Sequence, residues 1–195
     1  MDWTHLKPSD GRRMPWKNGR GTTLELAVDP PGATLETGFR WRISSAEVAA
    51  SGPFSAFPGL NRWLLLVEGA GFDIDFGAHG RVELTEPLAP IRFPGGWPAT
   101  ATLVDGPCVD FNVMVDPRFS GARVEAFSLS SPRTMPLPKA ATLVIFVAKG
   151  TLYVPEAGLH LGQCHTLRVD GGDGVLQLVP GYGGAAVVVV EIGAV

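Results

Sequence analysis

Apolar and polar positions alternate in short runs along this chain, and most runs end at a glycine or a proline. Alternation with a period of two sends successive side chains to opposite faces of a strand, whereas a helix repeats its apolar positions every three to four residues. Arg40–Val48, RWRISSAEV, alternates and predicts a strand, or a strand running into a short turn. Trp63–Val67 is a continuous apolar strand that ends at Glu68-Gly69. Gly71–Phe76 and Arg81–Leu84 read as hairpin arms around Gly77-Ala78-His79-Gly80. Pro87–Phe93 begins a strand whose prolines suit an edge or a bulge. Ala99–Val104 and Val109–Val115 read as a further pair around Asp105-Gly106-Pro107, and Ser120–Pro138, polar and proline-containing, as a crossover between two halves.

The second half repeats the first weakly. Leu64–Gly69, LLLVEG, and Ile145–Gly150, IFVAKG, are both strand-then-glycine units, and Phe93–Gly96, FPGG, is matched by Val169–Gly172, VDGG. Two similar β units fit a tandem of barrels, although a single larger sandwich would give much the same string. Composition agrees with an all-β class: 195 residues hold 25 glycines and 17 prolines, with no long helical pattern.

A formal charge of −3 and a pI near 5.8 leave no basic footprint, so no nucleic-acid partner is expected. The longest apolar runs, Ala140–Ala148 and Ala185–Val190, suit buried strands and are too short to span a membrane as helices. The opening MDWTHLKPSDGRR has no apolar signal region. Cys108 and Cys164 are too few for a disulfide framework. These features read as a cytoplasmic, globular protein with no membrane partner.

Metal and nucleophile chemistry find little support. Of the four histidines only His160 and His165 are close in sequence, whereas zinc and iron sites gather imidazole, thiolate and carboxylate ligands. Cys164 and His165 are adjacent, and adjacent strand residues point to opposite faces. No Gly-x-Ser-x-Gly elbow is present, and Trp16–Thr22, WKNGRGT, lacks the Gly-Lys-Ser/Thr ending of a phosphate loop. Neither a metal nor any other cofactor is expected.

Alternation is more suggestive. Thr23 and Glu25 share one strand face, Arg42 and Ser44 another, and Asp110 and Asn112 a third. In a barrel such faces converge on a ligand; on an open sheet they are solvated. Arginine is the natural carboxylate receptor because its planar fork gives two charge-assisted hydrogen bonds, which makes Arg42 and Arg62 the candidates.

WKNGRGTTLEL, WRISSAEVAASGPFSAFPGLNR and DFNVM occur in an order and spacing that resemble the HutD/Ves family, over most of residues 14–115. The C-terminal half matches less specifically, mainly through its apolar strands and HTLR at His165–Arg168. The resemblance implies a bicupin fold, two tandem cupin-like (RmlC-like jelly-roll) barrels, without metal in either. The corresponding division is 1–118, carrying the ligand pocket, and 119–195, with strand exchange between the halves left open. It also implies a cytoplasmic bacterial protein associated with histidine utilisation, although a Ves-type relative is described as stress-associated. Members are thought to moderate pathway expression by binding a metabolite, with urocanate or N-formylglutamate as the plausible ligands.

Ser51–Gly71, SGPFSAFPGLNRWLLLVEGAG, is where a cupin barrel usually keeps two histidines and a glutamate. Here the positions before the strand offer Ser55, Phe57, Asn61 and Arg62 and no histidine. The resulting expectation is a metal-independent, non-catalytic sensor of a small carboxylate. Arg62, helped by Arg42, holds the carboxylate; Asn18 and Asn112 bind a second polar group; Trp16 or Phe57 covers the apolar body. Glu25, Ser44 and Asp110 complete the proposed wall. Two alternatives stand beside it. One is a metal-independent isomerase or lyase with Glu25 or Asp110 as general base. The other is a protein-interaction module, and free sheet edges leave a homodimer open.

Overall fold

The computed structural model describes every residue except Met1, Lys17, Pro138, Ala140 and Val195. Lys17 of WKNGRGT, the last residue of the expected crossover and the first residue of the Ala140–Ala148 run therefore lie outside the described residues. The structure is all-β, with only two short 3-10 turns among the described residues. It divides into two compact units: Arg12–Ser120, and Met1–Gly11 together with Gly121–Val195. The division differs from 1–118 and 119–195 chiefly at the start. The first strand, β1 (Asp2–Leu6), pairs antiparallel with a strand near the other end of the sequence, Asp2 opposite Asp170.

The unit Arg12–Ser120 holds two sheets. The first runs in the order β2-β3-β4-β11-β6-β9, made of β2 (Arg12–Pro15), β3 (Gly21–Asp29), β4 (Trp41–Val48), β6 (Asn61–Glu68), β9 (Ile91–Pro94) and β11 (Cys108–Val115). The second has β5 (Gly52–Phe54), β7 (Phe72–Asp75), β8 (Arg81–Leu84) and β10 (Ala99–Leu103), in the order β5-β10-β7-β8. Val48, Leu64, Leu66 and Cys108 of the first sheet pack in one core cluster with Phe72, Ile74, Leu84 and Ala101 of the second. Removing such side chains from water is the main force holding the sheets face to face.

The hairpin expected around Gly77–Gly80 is formed by β7 and β8, and β9 takes the edge position that its prolines require. One expectation fails. The segments on either side of Asp105-Gly106-Pro107 do not pair with each other: β10 joins β5 and β7, while β11 lies between β4 and β6. Both are apolar at alternate positions, and that pattern fixes a face but not a neighbour.

The second unit is one seven-stranded sheet. Its path is β1-β16-β14-β17-β12, from β12 (Ser120–Leu129), β14 (Ala141–Val154), β16 (Thr166–Asp170) and β17 (Val175–Ala194). β13 (Arg133–Pro136) pairs with β17, and β15 (Leu159–Leu161) with β14. The expected crossover Ser120–Pro138 is thus mostly strand, because its alternating Val124, Ala126 and Ser128 positions serve a ladder as well as a connection. Its core gathers Leu143, Ile145, Val147, Leu167, Val169 and Val187.

The sequence repeat has a counterpart in strand order. β4-β11-β6-β9 in one unit corresponds to β12-β17-β14-β16 in the other. Its glycines do the same work. Gly69 has φ 98° and a Cβ there would lie 2.7 Å from the Pro107 carbonyl oxygen; Gly150 has φ 78° and a Cβ there would lie 2.3 Å from the Gly184 oxygen. Only glycine fits such a left-handed, crowded turn. After Gly69 the chain breaks into a new strand, whereas β14 continues through Gly150 in one bent strand.

Candidate functional site

Directly opposite residues in antiparallel ladders share a face. In the six-stranded sheet Glu25 lies opposite Ser44, and Ser44 opposite Asn112; Thr23 lies opposite Ala46, and Ala46 opposite Asp110. Arg42 lies opposite Met114, and Met114 opposite Arg62. The three polar faces read from alternation are therefore one continuous face, the same one that carries Val48, Leu64 and Cys108 into the core. Its apolar end is packed against the second sheet. Its polar end borders a cavity of about 480 Å³.

Trp16, Asn18, Arg42, Phe57, Arg62, Asp110 and Asn112 all border this cavity. Glu25 and Ser44 do not; Ser44 is 2% exposed within the sheet, and Glu25 is engaged elsewhere. The Nε of Arg42 donates to the Glu25 Oε2 at 2.7 Å, with both side chains close to nine-tenths buried. Arg42 is thereby neutralised and held in place, with its Nη2 4.0 Å from the Met14 sulfur.

Arg62 is differently placed. It is 4% exposed, its Nη1 donates to the Ser55 carbonyl at 3.2 Å, and its guanidinium carbon lies 5.1 Å from the ring centroids of both Phe57 and Phe93. Its Nε has no hydrogen-bond partner. Burial, with Arg42 adding repulsion, brings the guanidinium down to about 10, while Asp110 acts in the opposite sense.

Asp110 is 3% exposed and its Oδ1 is unpartnered. Burial pushes its carboxyl up to about 7, against the pull of Arg62 and a hydrogen bond from the Ala46 backbone N–H. Two residues on, the Asn112 Oδ1 is also buried without a partner. One unsatisfied donor and two unsatisfied acceptors on the wall of one cavity are uncommon, since buried polar atoms are nearly always hydrogen-bonded. The three residues that carry them all border the cavity.

The apolar wall is fixed by aromatic contacts. The Trp16 Nε1 donates to the Thr23 hydroxyl at 2.8 Å, and the indole meets Phe54 edge-on with centroids 6.0 Å apart. Asn18 sits at the exposed rim, where its Oδ1 accepts from the Arg20 N–H at 3.0 Å. Phe54, Leu35 and Met114 also border the cavity and escape sequence reasoning, because isolated apolar residues look like ordinary core. No histidine is among the residues that border it: His79 stacks on Trp97, His160 on Tyr153, and the His5 and His165 ring nitrogens are 2.9 Å apart. Among the described residues no three His, Cys, Asp or Glu side chains are grouped to hold a metal ion, and no helix is long and apolar enough to cross a membrane.

These features define an all-β, cupin-like protein with a cavity bordered by a buried arginine. Pirin YhhW of Escherichia coli, solved in complex with nickel(II), superposes with a TM-score of 0.69 over 97% of this chain and 98% of its own at 9% identity, a likeness of fold alone. A narrower kinship comes from the HutD family model, which matches residues 8–187. The chain belongs to the HutD family. A HutD structure from Pseudomonas fluorescens SBW25 has a TM-score of 0.85 and 30% identity, covering both chains fully. An uncharacterised 21.2 kDa protein in the hutC 3' region of Pseudomonas putida is 34% identical over 89% of this chain and 90% of its own length. Protein Ves of Citrobacter koseri is 32% identical over 89% and 95%.

Proposed function

We propose that this protein is a bicupin, metal-independent binding protein that takes a small carboxylate into the cavity of the Arg12–Ser120 unit and acts as a cytoplasmic sensor in histidine utilisation. The observation that carries the reading is the Arg62 guanidinium, buried yet with an unpartnered Nε on the wall of a roughly 480 Å³ cavity. A charge kept from water at such a cost is commonly maintained for a ligand. The nearby unpartnered Oδ1 of Asn112 suits a ligand that also carries a hydrogen-bond donor. Urocanate and N-formylglutamate combine both groups. The Pseudomonas putida relative, described by its place beside hutC, supports the pathway assignment.

Calorimetry with urocanate, N-formylglutamate, histidine and glutamate tests the reading. Binding of either of the first two, lost in Arg62→Ala, is the expected result. If none of the four binds, the carboxylate assignment is wrong.

A second reading is favoured by Asp110, whose carboxyl near 7 is suited to proton transfer at neutral pH. It would make the protein an isomerase or lyase on the same acid. Glu25 is tied to Arg42 and does not border the cavity. Turnover of a bound carboxylate that disappears in Asp110→Asn would select this reading over the sensor.

A further inference from the structure

The wall of the cavity is mismatched to an anion in one respect. Arg62 supplies a free donor, but the two other free atoms, Asp110 Oδ1 and Asn112 Oδ1, are acceptors. They belong to residues two apart on the same face of β11, and both residues border the same cavity as Arg62. A carboxylate drawn to Arg62 would bring acceptor against acceptor. If Asp110 were ionised, it would also bring charge against charge in a region with little water to screen it.

Other charged groups do not relieve this conflict. Among the described residues, those on the cavity face of the neighbouring strands are Arg62 of β6, Arg42 of β4, Glu25 of β3 and Arg12 of β2. The last three are linked to one another, with Arg42 2.7 Å and Arg12 3.8 Å from the Glu25 carboxylate. A proton on Asp110 resolves both conflicts at once: it removes the charge and converts one acceptor into a donor.

We propose that the cavity takes up a carboxylate together with one proton, which comes to rest on Asp110 and is donated in a hydrogen bond to the ligand. The inference rests on the carboxylate-binding reading above and adds to it a regulator, the proton. No covalent bond forms or breaks apart from the transfer of one proton from solvent to the Asp110 carboxylate. The electrostatics of the site agree with the geometry. Burial already holds the Asp110 carboxyl near neutrality, and the charge of Arg62 pulls it down. An anion bound at Arg62 cancels that pull, so Asp110 binds its proton more tightly in the complex. By linkage the proton then favours the anion to the same degree.

The experiment is calorimetry of N-formylglutamate, whose carboxylates do not titrate near neutrality, in phosphate and in Tris at pH 6 and pH 8. The difference in heat between buffers counts the protons taken up. About one proton per ligand is expected at pH 8 and a small fraction at pH 6, with affinity falling by up to about tenfold per pH unit above 7. In Asp110→Asn, whatever affinity remains is expected to be equal at the two pH values and to carry no proton. An infrared difference spectrum of the unaltered protein at pH 8 reads the same event, as a protonated-carboxyl band that appears with the ligand. Binding without proton uptake and without that band overturns this inference and leaves the carboxylate site standing. The same holds if Asp110→Asn still takes up a full proton. Absence of binding at both pH values overturns the carboxylate reading and this inference with it.

Discussion

The Arg42 Nε and the Glu25 Oε2 are 2.7 Å apart across the β3–β4 ladder, so the charge of Arg42 is spent inside the protein and the charge offered to the cavity is that of Arg62. Breaking such a pair leaves an uncompensated, largely buried cation. Glu25→Gln is therefore expected to lower unfolding free energy in urea by about 2–4 kcal/mol. Replacing both residues, as Glu25→Gln with Arg42→Met, should restore most of the loss. A single variant within experimental error of the parent would contradict the structural role given to the pair.

Arg62 should behave in the opposite way. Methionine fills much of the arginine stem volume between Phe57 and Phe93 and removes a buried charge whose Nε is unsatisfied. Arg62→Met is expected to melt at the parent's temperature or above it, while affinity for N-formylglutamate falls at least about 100-fold. A marked drop in melting temperature would mean that Arg62 serves the fold rather than the ligand.

The pH dependence of stability follows from Asp110 even without ligand. Its folded carboxyl sits near 7, well above the value of about 3.8 expected once unfolded. The native state therefore binds more protons than the unfolded state between these limits. The stabilisation is fully present below the lower limit and is lost as pH rises through the upper one, with a ceiling of about 4 kcal/mol. Subtracting the urea stability of the parent from that of Asp110→Asn isolates this contribution. The difference should grow from pH 4 to pH 7 and then level off; a difference independent of pH would show that Asp110 is not a buried acid.

Gly69 and Gly150 give a test of the shared turn. Alanine at either position meets a backbone carbonyl at less than 3 Å and must hold a positive φ. Each substitution is expected to destabilise by roughly 2–4 kcal/mol, measured separately in urea. Tolerance at one position but not the other would mean that the two turns are not equivalent in their strain.

How much of this was legible in the sequence depends on the scale of the contact. Alternation placed Arg42 with Ser44 and Asp110 with Asn112 on common faces, because a period of two is a property of the strand alone. That these faces adjoin one another depends on register and strand order, and the bulge between Glu25 and Ala27 shows how locally the register is set. The same limit explains why β10 and β11, adjacent in sequence with a turn between them, take different neighbours. The Glu25–Arg42 ion pair joins β3 to β4 and the His5–His165 contact joins β1 to the segment just before β16, and no spacing rule anticipates either. The glycine turns were legible, since a residue that alone tolerates a positive φ is visible as a letter.

The pairing of β1 with β16 makes the second unit discontinuous, with Arg12–Ser120 inserted inside it. During synthesis the inserted unit is complete once residue 120 has emerged, and it is free to fold while its neighbour is still unfinished. β1 precedes the inserted unit in synthesis and must wait for β16, which follows it; His5 of β1 and His165, just before β16, are 160 residues apart. Until then it is a solvated edge strand searching for a sheet. β1 is thus satisfied only after the inserted unit has been made, and translation that stalls before β16 would leave it as a site for pairing with other chains.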